Sequence, residues 1–450
     1  MSAYVIDSEL FGDQFSTPAM REIFSDRMTV QKWLDVEVAL AHAEAAVGVV
    51  PAEAAEEIAR IADVALYDLG ELKREMDRTA HPIVPLVRAM AERCAGEAGQ
   101  FVHWGATTQD ITDTGMILQM KDAHATIHEV LGGLRGKLQV LAEAHRETPM
   151  VGRTHGQQAQ PITFGYKVAV WMDEIARHLE RLEQCAPRLF VGQFSGAVGT
   201  MAAIGDDGIE IQRHMMAALG LACPNISWHA ARDTMAEYAM VVALAVGTVG
   251  KIAHEIIALQ KTEVAELEEP MPEGKVGSST MPHKRNPAIC ETIVALARCI
   301  RSAVPLALDG VIAEHERDKI GLQSEREYVA RISCHAHAAI TKAIYVTGGL
   351  KVRADNMRRN LDITKGILLS EAVMMKLGET LGRQRAHDII YEACMAAAVE
   401  GSTMKEALAR VPAVADTFSD AEIDALLAPE AYTGLAAAFA DRIVKGKSLA

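Results

Sequence analysis

The chain has 450 residues, of which half are hydrophobic but only 5% aromatic, and a formal net charge of −15 from 45 basic and 60 acidic side chains. That length calls for two or three domains around a large core, and the acidic balance disfavours nucleic acid and anionic membranes as partners. The seven cysteines are scattered with no CxxC pair, so reduced thiols are expected and neither a disulfide framework nor a metal site is signalled.

Taken from the N-terminus, MSAYVIDSELFGDQF lacks the basic and apolar regions of a signal peptide, and a cytoplasmic location is expected. The first 110 or so residues read as short helices punctuated by Pro18, Pro51, Pro82 and Pro85. At their end lies VHWGATTQDITDT, residues 102–114, in which Thr107, Thr108 and Gln109 can donate hydrogen bonds to a carboxylate. Asp110 is of the right type to cap the helix that follows. Helical patterning then covers about 112–147 and 162–184. Between them, His155 in VGRTHGQQAQPITFG, residues 151–165, is expected just ahead of a helix whose free N–H groups favour anions.

The glycine-rich GQFSGAVGTMAAIG, residues 192–205, lacks the GK[ST] ending of a phosphate loop and reads as a tight connection between helices. One long helix is expected from about Asp233 to Glu268. Its thirteen uncharged residues, Tyr238 to Gly250, are too few to span a bilayer. Apolar nearly all round, that helix belongs among other helices and argues for oligomerisation. A further helix begins near Pro287 and is expected to bend at Pro305, and after about Lys365 the segments become shorter and more amphipathic. The expected architecture is all-α: an N-terminal helical domain (1–111), a long central helical bundle (112–364) and a C-terminal helical domain (365–450).

The most informative stretch is GSSTMPHKRNP, residues 277–287. Gly277, Pro282 and Pro287 exclude a continuous helix. The resulting loop displays Ser278 and Ser279 beside His283, Lys284 and Arg285, a set suited to an anionic small molecule. This string closely resembles the signature loop of the fumarase/aspartase superfamily, which includes adenylosuccinate lyase, argininosuccinate lyase and 3-carboxy-cis,cis-muconate cycloisomerase. Residues 102–114 and 151–165 are similar to the family's first and second signature regions.

The resemblance implies a β-elimination that needs no metal or organic cofactor and acts on a small anionic dicarboxylate. It implies Ser278 as the base and His155 as the general acid or its positioner. Thr107, Thr108, Gln109, Thr154, Ser279, Lys284 and Asn286 then hold the substrate. His81, in RTAHPIVPLV, stands where adenylosuccinate lyases carry an active-site histidine, although Pro82 replaces the acidic residue that follows it there. His103 with Trp104 is expected to pack beside the first signature. The resemblance also implies a homotetramer with shared active sites, its central helices forming one bundle.

Within the family the chain is a hybrid. FGDQFSTPAMREIFSD resembles the cycloisomerase branch and lacks the Arg-Tyr pair that binds nucleotide in adenylosuccinate lyases. WHAARD, residues 228–233, has Ala231 where both branches carry Gln. Ser324, Glu325 and Arg326 stand near a place where adenylosuccinate lyases hold phosphate, which makes Arg326 and Arg21 candidate phosphate ligands. His155 points away from the cycloisomerases. The expected activity is therefore that of a C–N lyase releasing fumarate from an N-substituted aspartate, either a nucleotide or a small molecule such as iminodisuccinate. The alternatives are a lactonising carboxymuconate cycloisomerase and a non-catalytic structural relative.

Overall fold

The computed structural model describes residues 4–271, 274, 280–281 and 283–446. Ser278 and Ser279 lie outside the described residues. Nineteen α-helices and two small antiparallel strand pairs are present among the described residues, and the fold is all-α. Two compact units divide the chain. The first comprises Met1–Gly132, Arg177–Gly250 and Thr292–Thr341, and the second Gly133–Ala176, Lys251–Glu291 and Lys342–Ala450.

In the first unit three of the N-terminal helices start at side-chain caps, at Thr17, Ser25 and Asp68. Ser25 accepts from the Met28 N–H ahead of Asp26–Ala46, and Asp68 accepts from Gly70 and Glu71 ahead of Leu69–Thr79. Leu34 and Ala41, on one face of Asp26–Ala46, pack in a core with Ile58, Ile61, Leu72, Leu86 and Met90. The unit also takes in residues 108–132 of the helix Thr108–Ala144 and 233–250 of Asp233–Gln260, along with 319–341 of Lys319–Gly348. Along 235–249 the side chains of Met235, Tyr238, Val242, Val246 and Val249 are buried, and Tyr238 shares a 2.8 Å hydrogen bond with the Ser333 hydroxyl.

The second unit carries a hairpin that the sequence reading did not foresee. Strands Pro149–Thr154 and Gln157–Thr163 pair antiparallel, with Thr154 opposite Gln157, so only His155 and Gly156 make the turn. Both have positive φ, 53° and 77°, as a type I′ turn requires. Glycine adopts that region freely, and histidine does so more readily than most side chains. His155 thus sits at a hairpin tip, not ahead of a helix: the next helix, Phe164–Leu189, begins only after the second strand.

The expected helix from Asp233 to Glu268 is also shorter. It ends at Gln260, after which Ala265 takes φ 51° and Leu267–Glu268 forms a short strand with Lys351–Val352. A helix cannot pass a residue held in the left-handed region. Pro305 lies inside the helix Ala288–Asp309.

Candidate active site

In the first unit the candidate residues gather at the start of the helix Thr108–Ala144. The approach to that helix reverses twice, with His103 at φ 63° and Gly105 at φ 66°. A Cβ at 105 would lie 2.1 Å from the end of the Ile204 side chain, so glycine lets that side chain pack against the backbone at a φ that glycine adopts freely. His103 pays for its conformation, of the order of 1 kcal/mol, with a hydrogen bond from Nδ1 to the Glu37 carboxylate at 2.7 Å. Burial acts to lower the His103 pKa, but the charge and hydrogen bond of Glu37 outweigh it and hold the imidazole above its ordinary value. The neighbouring Trp104 ring lies 6.0 Å from Phe101.

Asp110, fully buried, ties this corner together. Its Oδ2 accepts from the backbone N–H of Thr107 and Gly196, each at 3.0 Å. Its Oδ1 accepts from the Ser195 N–H at 3.0 Å and faces His229 Nε2 at 2.9 Å. The Thr107 bond is half of a capping box, made from within the first turn. The other three bonds fasten the glycine-rich connection and the WHAARD segment to it. Gln109 is turned inward: it is 2% exposed, with both amide hydrogens committed to Asp113 and the His229 carbonyl, each at 2.9 Å.

Thr107 and Thr108 come together with two basic side chains. Arg317 donates through Nη1 to Thr107 Oγ1 at 2.9 Å and through Nη2 to the Ala197 carbonyl at 2.6 Å. A hydroxyl that accepts an N–H keeps its own proton to donate elsewhere. His81 Nε2 lies 3.2 Å from Thr108 Oγ1, while its Nδ1 is buried without a partner. Orphaned buried N–H groups are rarer than orphaned acceptors, which favours the tautomer with the proton on Nε2. Thr108 then also has a proton free. Two hydroxyl donors beside a guanidinium, at a helix N-terminus, make a carboxylate-binding arrangement.

Behind this corner, Arg232 bridges Asp113 and Glu325 in an almost solvent-free cluster, with Nη1 2.7 Å from Asp113 and Nε 2.8 Å from Glu325. The guanidinium also stacks on Trp228, 4.9 Å from the ring centre. Burial raises the Glu325 pKa despite Arg232, whereas Arg232 itself is held above its ordinary value by the two carboxylates against burial. Glu325 is thus structural, and Ser324 is spent on the Ile320 carbonyl of its own helix at 3.3 Å. Of that trio only Arg326 faces a cavity. That cavity, about 750 Å³, is also lined by Arg21, Arg331, Ser25 and Tyr4. Burial pushes the Arg326 pKa down, and its Nη1 donates to Gln323 at 3.2 Å.

The second unit holds Thr154, His155, Lys284 and Asn286. Thr154 and His155 are exposed at the hairpin tip, and Lys284 is exposed near the end of the signature loop. Two carboxylates, two residues apart, fasten these segments. Glu266 takes both Nη atoms of Arg153, at 3.0 and 2.6 Å, and the Asn360 amide at 2.8 Å. Glu268 receives Arg285, Lys351 and Arg353. Burial acts against Glu268, but its three cations bring its pKa down to about 2. Glu269 caps the helix Ala288–Asp309, accepting from Ile289 and Cys290 at 3.1 and 2.8 Å. Among the described residues no group of three or more His, Cys, Asp or Glu is arranged to hold a metal ion.

His229, Glu37, Arg317 and Glu266 were not singled out by sequence reasoning, and Asp110 was read only as a helix cap, without its ties to Ser195, Gly196 and His229. Arg317 had a local signal in the charged run EHERDK, and His229 in the WHAARD segment already noted.

Comparison with known proteins bears on this arrangement directly. A family model described as Lyase matches residues 13–301, and one described as Adenylosuccinate lyase C-terminus matches 366–443. The chain is 42% identical to the N-acetyl-S-(2-succino)cysteine lyase of Enterococcus italicus over 99% of its length and 97% of the relative's. It is 39% identical to the adenylosuccinate lyase of Methanocaldococcus jannaschii, covering 96% of this chain and 94% of that one. Among solved structures, the 3-carboxy-cis,cis-muconate lactonizing enzyme of Pseudomonas putida superposes with a TM-score of 0.92 at 39% identity, over 97% of this chain and 98% of that one.

The chain belongs to the fumarase/aspartase superfamily. Its relatives in that superfamily include both lyases and cycloisomerases, and all three comparisons run over nearly the full length. Superfamily membership supports a lyase and leaves the reaction and the substrate to the site.

Proposed function

We propose that this protein is a lyase that releases fumarate by β-elimination from a small molecule carrying a 2-succinyl group. In the first form of the reading that group is joined through nitrogen, as in an N-substituted aspartate. In the second it is joined through sulfur, which the name of the Enterococcus relative favours. The observation that carries the proposal is the Thr107–Thr108 pair, whose hydroxyls stand beside Arg317 and His81 at a helix start. That set suits the carboxylate on which charge accumulates when the neighbouring carbon loses its proton.

In this reading Ser278 takes the proton, and Lys284 and Asn286 stabilise the charge that develops, with Ser279 and Thr154 completing the substrate contacts, while Gln109, its amide spent on Asp113 and the His229 carbonyl, drops out of the set. His155 protonates the departing atom or orients the group that does. Departing nitrogen needs that proton, because a free amide or amine anion is a very poor leaving group. A thiolate, with an ordinary thiol pKa of about 8.5, can leave without it. Arg326 and Arg21 face one cavity and would serve an anionic distal half of the substrate. The protein is further proposed to work as a homotetramer with shared active sites. Met240 and Leu244, 37% and 53% exposed on the helix Asp233–Gln260, support an apolar contact between copies.

The test is the ultraviolet absorbance of fumarate. Purified protein is offered iminodisuccinate, adenylosuccinate, argininosuccinate and N-acetyl-S-(2-succino)cysteine. Fumarate from either nitrogen or sulfur adducts supports the proposal and identifies the bond broken. Silence with all four, with consumption of 3-carboxy-cis,cis-muconate, would overturn it in favour of the cycloisomerase reaction.

A further inference from the structure

We propose that Glu37 is a positioning residue for dicarboxylate binding: by holding the His103 ring it fixes the reversed backbone at His103 and, four residues on, the hydroxyls of Thr107 and Thr108. This rests on the reading of those hydroxyls as carboxylate donors.

Glu37 belongs to the helix Asp26–Ala46, 66 residues from His103 in sequence, and its side chain is 1% exposed. The neighbouring buried positions are filled by Leu34, Val36, Leu40 and Ala41, and the second buried carboxylate of this helix, Glu44, has no partner for either oxygen, so pairing with His103 sets Glu37 apart. A buried charge persists only with a partner, and Glu37 has one, His103 Nδ1, while its Oε2 has none.

His103 in turn has reason to be held. It and Gly105 carry the two positive φ angles between the turn Ala98–Phe101 and the helix start. Glycine holds such a conformation at no steric cost. Histidine holds it when its surroundings insist. At the far end of the same segment Asp110 takes the Thr107 N–H at 3.0 Å. The segment is therefore clamped at both ends, by Glu37 at 103 and by Asp110 at 107, and the two hydroxyls follow from the clamp. Neither acid touches the proposed substrate.

Fumarate itself is the probe, titrated into the full-length protein by calorimetry. Glu37→Ala is expected to weaken fumarate binding about 10-fold with unchanged far-ultraviolet dichroism, and to raise KM for fumarate release by a like factor at nearly constant kcat. Glu37→Gln keeps an acceptor for Nδ1–H and should stay within about 3-fold of wild type. His103→Gly removes the tethered ring, so adding Glu37→Ala to it should change nothing further. A merely structural role would lower the number of competent molecules, and with it kcat, while leaving Kd and KM alone.

Wild-type affinity in Glu37→Ala overturns the proposal, as does a double variant that binds more weakly than His103→Gly. Should Glu37→Ala fail to fold, wild-type affinity in His103→Gly overturns it equally. Wild-type protein that binds fumarate but releases none from any adduct sinks the proposed function and leaves this inference standing. Protein that binds no fumarate at all sinks both.

Discussion

Arg153 and Glu266 form a two-pronged ion pair, Nη1 to Oε2 at 3.0 Å and Nη2 to Oε1 at 2.6 Å, with the carboxylate entirely out of solvent. Arg153 sits beside Thr154 and His155, so the pair anchors the base of the turn that displays them. Removing one member leaves the other buried and unpaired. Glu266→Gln is expected to lower unfolding free energy by about 3 kcal/mol, the low end for a broken buried pair because Arg153 keeps some access to water. Denaturant titration measures this. Amide exchange should quicken at residues 150–154, and a variant as stable as wild type would show that the pair does not hold the hairpin.

His155 separates the nitrogen and sulfur forms of the reaction. Asparagine is the side chain best suited to positive φ in a two-residue turn of this kind, so it removes the acid without breaking the hairpin. His155→Asn should slow fumarate release from an amine adduct by about 10²- to 10⁴-fold, the usual worth of a positioned general acid. Release from a thioether adduct should fall far less. Equal losses on both substrates would point to His155 acting on orientation alone.

Ser278→Ala tests whether the proposed base is one. Turnover should drop at least about 10³-fold, comparable to losing an essential catalytic group, while the thermal midpoint stays within a degree or two. A variant that turns over at the wild-type rate would remove Ser278 from the mechanism and assign the proton abstraction to another group.

Glu44 gives a pH signature. It is completely buried, neither carboxylate oxygen has a partner, and burial first, then the charge of Glu37, pushes its pKa up to about 9. The unfolded chain releases that proton near pH 4.5, the folded protein only near 9. This raised pKa favours the folded state fully at low pH, and the advantage is lost as pH rises between those values. Each pH unit in that window is worth about 1.4 kcal/mol. Glu44→Gln, which cannot ionise, should therefore be more stable than wild type at pH 8 and similar at pH 4.5. Parallel stability curves for the two proteins across that range would show that Glu44 is ionised in the folded state.

Long helices were legible in the sequence because each carries many apolar residues at helical spacing. The helix Thr108–Ala144 was expected at about 112–147, and Phe164–Leu189 at about 162–184. What escaped were features set by few residues or by distant ones. The hairpin at 149–163 is short, carries Pro161 inside it, and turns on only His155 and Gly156. The helix that was to run to Glu268 stops at Gln260 because the chain beyond is drawn into pairing with Lys351–Val352. Of the candidate residues in the first unit, Thr107, Thr108 and His81 meet, whereas Gln109 faces inward, since its amide satisfies Asp113. A hydrogen-bond partner more than a hundred residues away leaves no local mark, which is why WHAARD was noted without the ties of His229 to Asp110 and of Arg232 to Asp113.

Asp110 gathers chain segments that lie 85 and 119 residues from it in sequence. Contacts that close such long loops pay their entropy before they return anything, and so form late in folding. The helices on either side can be complete well before this knot is tied. A preparation with full helical dichroism is therefore not yet one with a competent corner at Thr107, and refolded material should regain its helix signal earlier than its ability to bind a dicarboxylate.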